Sequence, residues 1–310
     1  MHISRRFILS SLPAALAAVT LPLGAVRGWA LTTFSSGDLR IDSLSDGHLE
    51  LPAEFFLTSL PEDKRPAVIE RFGLPETGVV ESPLNVTLMR QGDRVVLFDV
   101  GSGPDFVPTA GLLVDALAAI DVAPEEVTDV IFTHGHPDHL WGLLDDFDEP
   151  LFANAALHMA ETEYAYWTDP QTVETIGEEW QSFAVGAMRR LSAVADSVQT
   201  FADGDEVLPG IRAVSTPGHT PGHCSFAIGS PSDGIFITGD FVTTEAAMAW
   251  TELGTSTDSD PALAAQTRAT TLAMLADEGW TILGYHLPNG GIGRVVPDGE
   301  GEGFRFEQED

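Results

Sequence analysis

Apolar positions in the first third of the chain fall into short runs bounded by turn residues. Leu39–Leu44 and Asn85–Met89 read as strands, and Val95–Val100 follows across the turn Gln91-Gly92-Asp93. From Thr109 to Ile120 the spacing becomes helical, with Leu112, Leu113, Ala116, Leu117 and Ile120 on one face. That segment leads through Pro124 into the apolar strand Val130–Phe132. Further strands are predicted at Leu151–Ala153, Ile211–Ser215, Ser225–Ile228, Ile235–Thr238 and Thr281–Gly284, and helices at Ala160–Trp167, Glu174–Val194 and Pro261–Asp277. Strands in two clusters, with helices between and beyond them, predict an α/β protein. Two packed sheets with helices on their outer faces, a four-layer αββα sandwich, satisfy the pattern. A single doubly wound sheet is the competing architecture.

The first 30 residues stand apart from this pattern. Ser4-Arg5-Arg6-Phe7-Ile8-Leu9 is a twin-arginine sequence, followed by a moderately apolar run to Val26 and small residues near Gly28-Trp29-Ala30. Pro13, Pro22 and Gly24 make that run a weak membrane span. Residues 1–30 therefore read as a twin-arginine signal peptide. The expectation is a periplasmic or secreted protein whose single domain spans residues 31–310.

Charge narrows the partners. The full chain carries a formal net charge of −32, and removing Arg5, Arg6 and Arg27 leaves 12 Lys+Arg against 47 Asp+Glu, a net −35. Such a field repels nucleic acid and anionic membranes, so neither is expected as a partner after the signal is removed. A small molecule is expected instead, and a homodimer is compatible with everything in the sequence. The lone Cys224 excludes an internal disulfide.

The densest chemistry lies in Thr133-His134-Gly135-His136-Pro137-Asp138-His139, directly after Val130–Phe132. A strand ending in a turn gathers such side chains, and neutral imidazole and carboxylate are good ligands for zinc and similar divalent ions. Four donors on one turn exceed what one tetrahedral ion usually takes from a single loop, which suggests two metals. Three further candidates stand after predicted strands: His219 in Thr216-Pro217-Gly218-His219, Asp240 in Thr238-Gly239-Asp240-Phe241, and His286 in Gly284-Tyr285-His286-Leu287-Pro288.

These motifs, in this order from Asp99 to His286, resemble the metallo-β-lactamase superfamily. The resemblance implies that His134, His136 and His219 hold one metal and Asp138, His139 and His286 a second, with Asp240 bridging both. It implies zinc, with manganese, iron or cobalt as other options, and a water activated for hydrolysis. Asp99 would support the metal loop without binding metal, and His223 would support the site from behind. Asp138 has a second candidate role, handing a proton to the departing oxygen, so Asp138 and Asp240 are the catalytic candidates. His158 and Cys224 read as structural.

An aspartate at position 240 disfavours the zinc β-lactamases, which usually carry cysteine or serine there. The acidic field disfavours the nucleases, and the acidic C-terminal segment the glutathione-thioester hydrolases. Mononuclear oxidoreductase members lack part of the second metal site, which is complete here. Softer similarities, including Gly239-Asp240-Phe241-Val242 and the helix containing Thr267-Arg268, point to the branch of methyl parathion hydrolase and the N-acyl homoserine lactonases. Thr243 departs from both, since a tyrosine or histidine is usual there. Phe55, Phe56, Phe106, Thr243 and Trp250 are candidates for an apolar pocket. The predicted function is hydrolysis of neutral esters, lactones or phosphotriesters. Amide hydrolysis of the β-lactamase type and a non-catalytic periplasmic metal-binding protein are the alternatives.

Overall fold

The computed structural model describes residues 32–57, 60–299 and 303–308. The twin-arginine segment and its cleavage site lie outside the described residues. The first sheet comprises β1 (Thr32–Ser36), β2 (Leu39–Pro52), β3 (Val79–Gln91), β4 (Arg94–Phe98), β5 (Asp129–Ile131), β6 (Ala156–Ala160) and β7 (Val198–Phe201), side by side in chain order. Pairing is antiparallel from β1 to β4 and parallel from β4 to β7. The second sheet comprises β8 (Glu206–Leu208), β9 (Ile211–Ser215), β10 (Cys224–Ile228), β11 (Ile235–Ile237), β12 (Thr281–Leu283), β13 (Ile292–Pro297) and β14 (Phe304–Gln308). Its β11–β12 pair is parallel and the other pairs are antiparallel.

Period-two alternation sorts the strand residues into layers. Val96, Phe98 and Ile131 face Phe226, Ile235 and Ile237 across the sandwich, with the Phe98 and Phe226 rings 5.3 Å apart. Their neighbours Leu97 and Val130 turn outward into a cluster under the helices of the first sheet. Phe236 and Ile282 turn outward beneath helix Pro261–Glu278, which presents Leu272 and Leu275. That helix starts where the Asp260 carboxylate accepts the Leu263 N–H and ends at Gly279, whose φ of 73° closes the last turn. The four-layer αββα sandwich is the observed architecture. Among the described residues no helix is long and apolar enough to cross a membrane.

Three predicted elements need correction. Glu174–Val194 is not one helix but a helix at Pro170–Thr175, a 3₁₀ turn at Glu178–Trp180 and a helix at Gln181–Ala193. Gly177, at a φ of 101°, stands between them in a conformation no helix accommodates. Leu151–Ala153 forms a turn from which Phe152 buries, and the strand begins at Ala156, whose N–H reaches Thr128 O. The helix expected from Thr109 shortens to Leu113–Ala118, because the Leu113 N–H is taken by the Asp46 carboxylate at 2.8 Å.

Candidate metal centre

Four segments leaving strand ends at one edge of the sandwich supply the floor of the site. Thr133–His139 follows β5, with His136 capping the short helix Pro137–Leu140. His219 follows β9, Asp240 follows β11 and His286 follows β12. Ligand atoms of His134, His136 and His219 lie within 4.8 Å of one another, as do those of Asp138, His139, Asp240 and His286. All seven side chains are buried.

The hydrogen-bond network fixes which nitrogen of His134, His219, His139 and His286 faces inward. Thr133 Oγ1 gives its proton to Asp99 Oδ2 at 2.7 Å, so it accepts from His134 Nδ1 at 3.0 Å and leaves His134 Nε2 as a lone pair. His219 Nδ1 donates to Asp258 Oδ1 at 2.9 Å, which leaves His219 Nε2 as a lone pair. His136 Nδ1 sits between these two nitrogens, 3.0 and 2.9 Å away. The second set repeats the logic. His139 Nδ1 donates to Asp99 Oδ2 at 2.8 Å, and His286 Nδ1 donates to the Pro83 carbonyl at 2.9 Å. His139 Nε2 then lies 3.4 Å from Asp240 Oδ2 and 3.5 Å from Asp138 Oδ2, with no hydrogen-bond partner among the described residues. His286 Nε2 lies 3.0 Å from Asp240 Oδ2, whereas Asp240 Oδ1 is buried and unpartnered among the described residues.

Lone pairs aimed at one another and at carboxylates are repulsive unless a cation sits among them, so the residues fit a pair of divalent ions. The titration behaviour has the same cause. Burial, reinforced by neighbouring imidazoles, holds His134 and His136 well below the ordinary histidine range. Burial also opposes a charge on His286, yet Asp240 and Asp138 override it and lift this group to about 10. Without a cation, protons do on this side what a metal would do.

The profile of the metallo-beta-lactamase superfamily matches residues 80–286. The chain belongs to that superfamily. Over 71 residues it is 42% identical to mouse metallo-beta-lactamase domain-containing protein 1, covering 21% of this chain and 25% of that one. Over 167 residues it is 26% identical to the probable metallo-hydrolase YybB of Bacillus subtilis, covering 53% of this chain and 64% of that one. The matches thus span a quarter and just under two-thirds of those curated relatives. Among solved structures, it is similar to the hydrolase AbOPH at 27% identity and a TM-score of 0.82, covering 90% of this chain and 97% of that one. The dizinc quorum-quenching lactonase AidC shares the fold at 20% identity and a TM-score of 0.83, with the same coverage.

Asp99 lies behind the Thr133–His139 turn. Held at a φ of 64°, it ties the Thr133 N–H and hydroxyl and His139 together. His223 also stays behind the floor: its Nε2 accepts the Asp240 N–H at 2.8 Å and its Nδ1 meets Thr216 Oγ1 at 2.8 Å. Burial is the main reason it falls to about 3. His158 binds Asp129 Oδ1 at 3.0 Å, away from the site, and Cys224 is a buried strand residue.

A cavity of about 110 Å³ opens above the floor, and Phe55, Phe56, Phe106 and Thr243 line it. Trp250 is a correction. It packs against Phe72, ring centroids 6.1 Å apart, beside the small apolar cluster of Ala53, Leu57, Leu60, Val68 and Leu253. Trp180 and Phe183 take its place in the wall. Both fell inside the expected long helix, where a turn of aromatics was invisible. Other supporting residues carry no sequence signal of their own. Tyr285 stacks on His139 at 3.8 Å and donates to Asp138 O at 2.6 Å. Asp258, which orients His219, is itself held by Arg268 at 3.2 Å.

Proposed function

We propose that the protein is a dinuclear hydrolase of neutral esters, lactones or phosphotriesters. His134, His136 and His219 would hold one ion and Asp138, His139 and His286 the other, with Asp240 between them. Zinc is the first candidate, and manganese, iron or cobalt suit the same donors. Such a pair of ions, when bound, lowers the pKa of a shared water and polarises the scissile group. The chain's own task is to present these donors in fixed tautomers, held by Asp99, Asp258 and the Pro83 carbonyl. Asp138 lines the cavity, and its carboxylate would take a proton from the attacking water and hand it to a departing oxygen.

One observation carries the reading: converging lone pairs form the floor of a cavity whose walls are apolar. A second cavity of about 190 Å³ adjoins it, sharing Phe55, Phe56, Thr243 and His286 and continuing past Leu60, Val68 and Phe72. It suits an uncharged alkyl or aryl group, which the acidic surface also favours over an anion. The lactonase activity of AidC is consistent with this class. The test is to count metals in the purified protein and assay aryl esters, lactones, phosphotriesters and β-lactams with and without chelator. Two metals and chelator-sensitive turnover of a neutral class are expected. Two metals without turnover on any class would leave a metal-binding protein. Turnover indifferent to chelation would refute the reading.

For location we propose export by the twin-arginine route, supported by Ser4-Arg5-Arg6-Phe7-Ile8-Leu9. Replacing Arg5 and Arg6 with lysine should leave the protein in the cytoplasmic fraction; unchanged export would rule the route out.

A further inference from the structure

Helix Glu161–Thr168 contributes no ligand, yet two ligand loops rest on it. Glu163 is fully buried, and each of its carboxylate oxygens serves a different loop. Oε1 accepts the Gly135 N–H at 2.9 Å and the Trp167 indole N–H at 2.5 Å. Oε2 accepts the Thr220 hydroxyl at 2.8 Å and the Gly222 N–H at 2.9 Å. Gly135 separates His134 from His136, and Thr220 follows His219 directly. The ring of Trp167 meets the edge of His136 at 5.7 Å.

Close approach explains both glycines. A Cβ on Gly135 would stand 2.4 Å from the Trp167 ring, and one on Gly222 would stand 2.2 Å from the Glu163 nitrogen. Both backbones therefore lie flat on this helix because neither residue has a side chain.

We infer that Glu163 is a positioning residue that sets the spacing between the His134–His136 turn and the His219 loop, and so selectively tunes the three-histidine metal site. This rests on the dinuclear reading above. Among the described residues, Glu163 accepts no hydrogen bond from Asp138, His139, Asp240 or His286, so the second site should not share the effect. A carboxylate is required because all four partners are donors. Glu163→Gln keeps the shape but turns one acceptor into an NH₂ group. Placed on either side, that group faces a backbone N–H with no acceptor to offer.

The test uses the full exported chain with zinc or cobalt as the only additions. Competition against a chelator measures the affinity of each site, and the visible spectrum of the cobalt form reports the geometry of each. For Glu163→Gln the expected result is about a 10- to 100-fold weaker first site, the usual range for a lost outer partner, with a shifted cobalt band and an unchanged second site. Unchanged affinity and spectrum at both sites would overturn the inference. Equal weakening of both sites would also overturn it, making the helix a general prop. Should this variant fail to fold, Thr220→Val removes one donor and leaves the carboxylate. A weaker three-histidine site alone is again expected. A wild-type protein that binds no metal would remove the dinuclear reading itself, and this inference with it.

Discussion

Replacing Asp258 with alanine separates two roles of one buried carboxylate. In the wild type, Oδ1 accepts from His219 Nδ1 at 2.9 Å and Oδ2 from Arg268 Nη2 at 3.2 Å. The alanine variant strands a buried guanidinium, a change that costs about 3–5 kcal/mol when nothing else holds the charge. Arg268 keeps the carbonyls of Phe241 at 3.1 Å and Thr251 at 3.0 Å, which favours the lower end of that range. About 3 kcal/mol corresponds to a melting temperature roughly 6 °C lower for a chain of this size. Separately, His219 loses the acceptor that fixes its tautomer, which should weaken metal binding by about 10- to 100-fold. Asp258→Asn should fall between, since its amide can accept from His219 or from Arg268 but not both. The assay pairs thermal melts of metal-free protein with zinc competition against a chelator. If Asp258→Ala lost stability yet kept wild-type zinc affinity, the carboxylate would be a strut for the Pro261–Glu278 helix and nothing more.

In Asp138→Asn protein loaded with both metals, turnover should fall by about 10²–10⁴-fold, the range for a positioned proton donor; full activity in the loaded variant would remove that role. Phe56→Ala should raise KM for substrates with bulky apolar groups by about 10-fold, equivalent to about 1.5 kcal/mol of lost burial, while acetyl esters change little. Equal effects on both would place Phe56 outside the substrate path. Asp46 gives a pH signature. Burial outweighs the N–H bonds it accepts from Ser102, Leu113 and Gly111 and raises it to about 6. Its folded value lies above its unfolded one, so the folded state holds the extra proton between about pH 4 and 6, and this contribution to stability is lost as pH rises through that window. Asp46→Asn should remove that slope from a plot of melting temperature against pH. An identical slope in the variant would assign it to other groups.

The candidate ligand set was legible because metal chemistry restricts the residue types and strand ends restrict their places. His134 to His139 announce themselves within six residues, and His219, Asp240 and His286 each follow a readable apolar run. Alternation also placed Phe98, Ile131 and Phe226 on strands, which is why the two-sheet architecture followed. Glu163 and Asp258 were not legible. Each acts through hydrogen bonds to segments 28 to 59 residues away, and as carboxylates among 47 acidic residues they look like surface charge. The cavity wall failed for another reason. Gly177 redirects the chain so that Phe183 meets the His136 ring and Trp180 packs on Phe183, and no periodic pattern records such a redirection.

Between β2 and β3, Ala53, Leu57, Leu60 and Val68 form a small cluster together with Leu253. The seven donors beneath it hang from strand ends of the two sheets and borrow nothing from that cluster. Such an arrangement is modular in the evolutionary sense. Mutations can drift through the cap, or a different cap can be grafted between β2 and β3, while the reactive floor is inherited intact. New binding preferences are then reachable in small viable steps, because no intermediate along the way has to give up the seven donors of the floor.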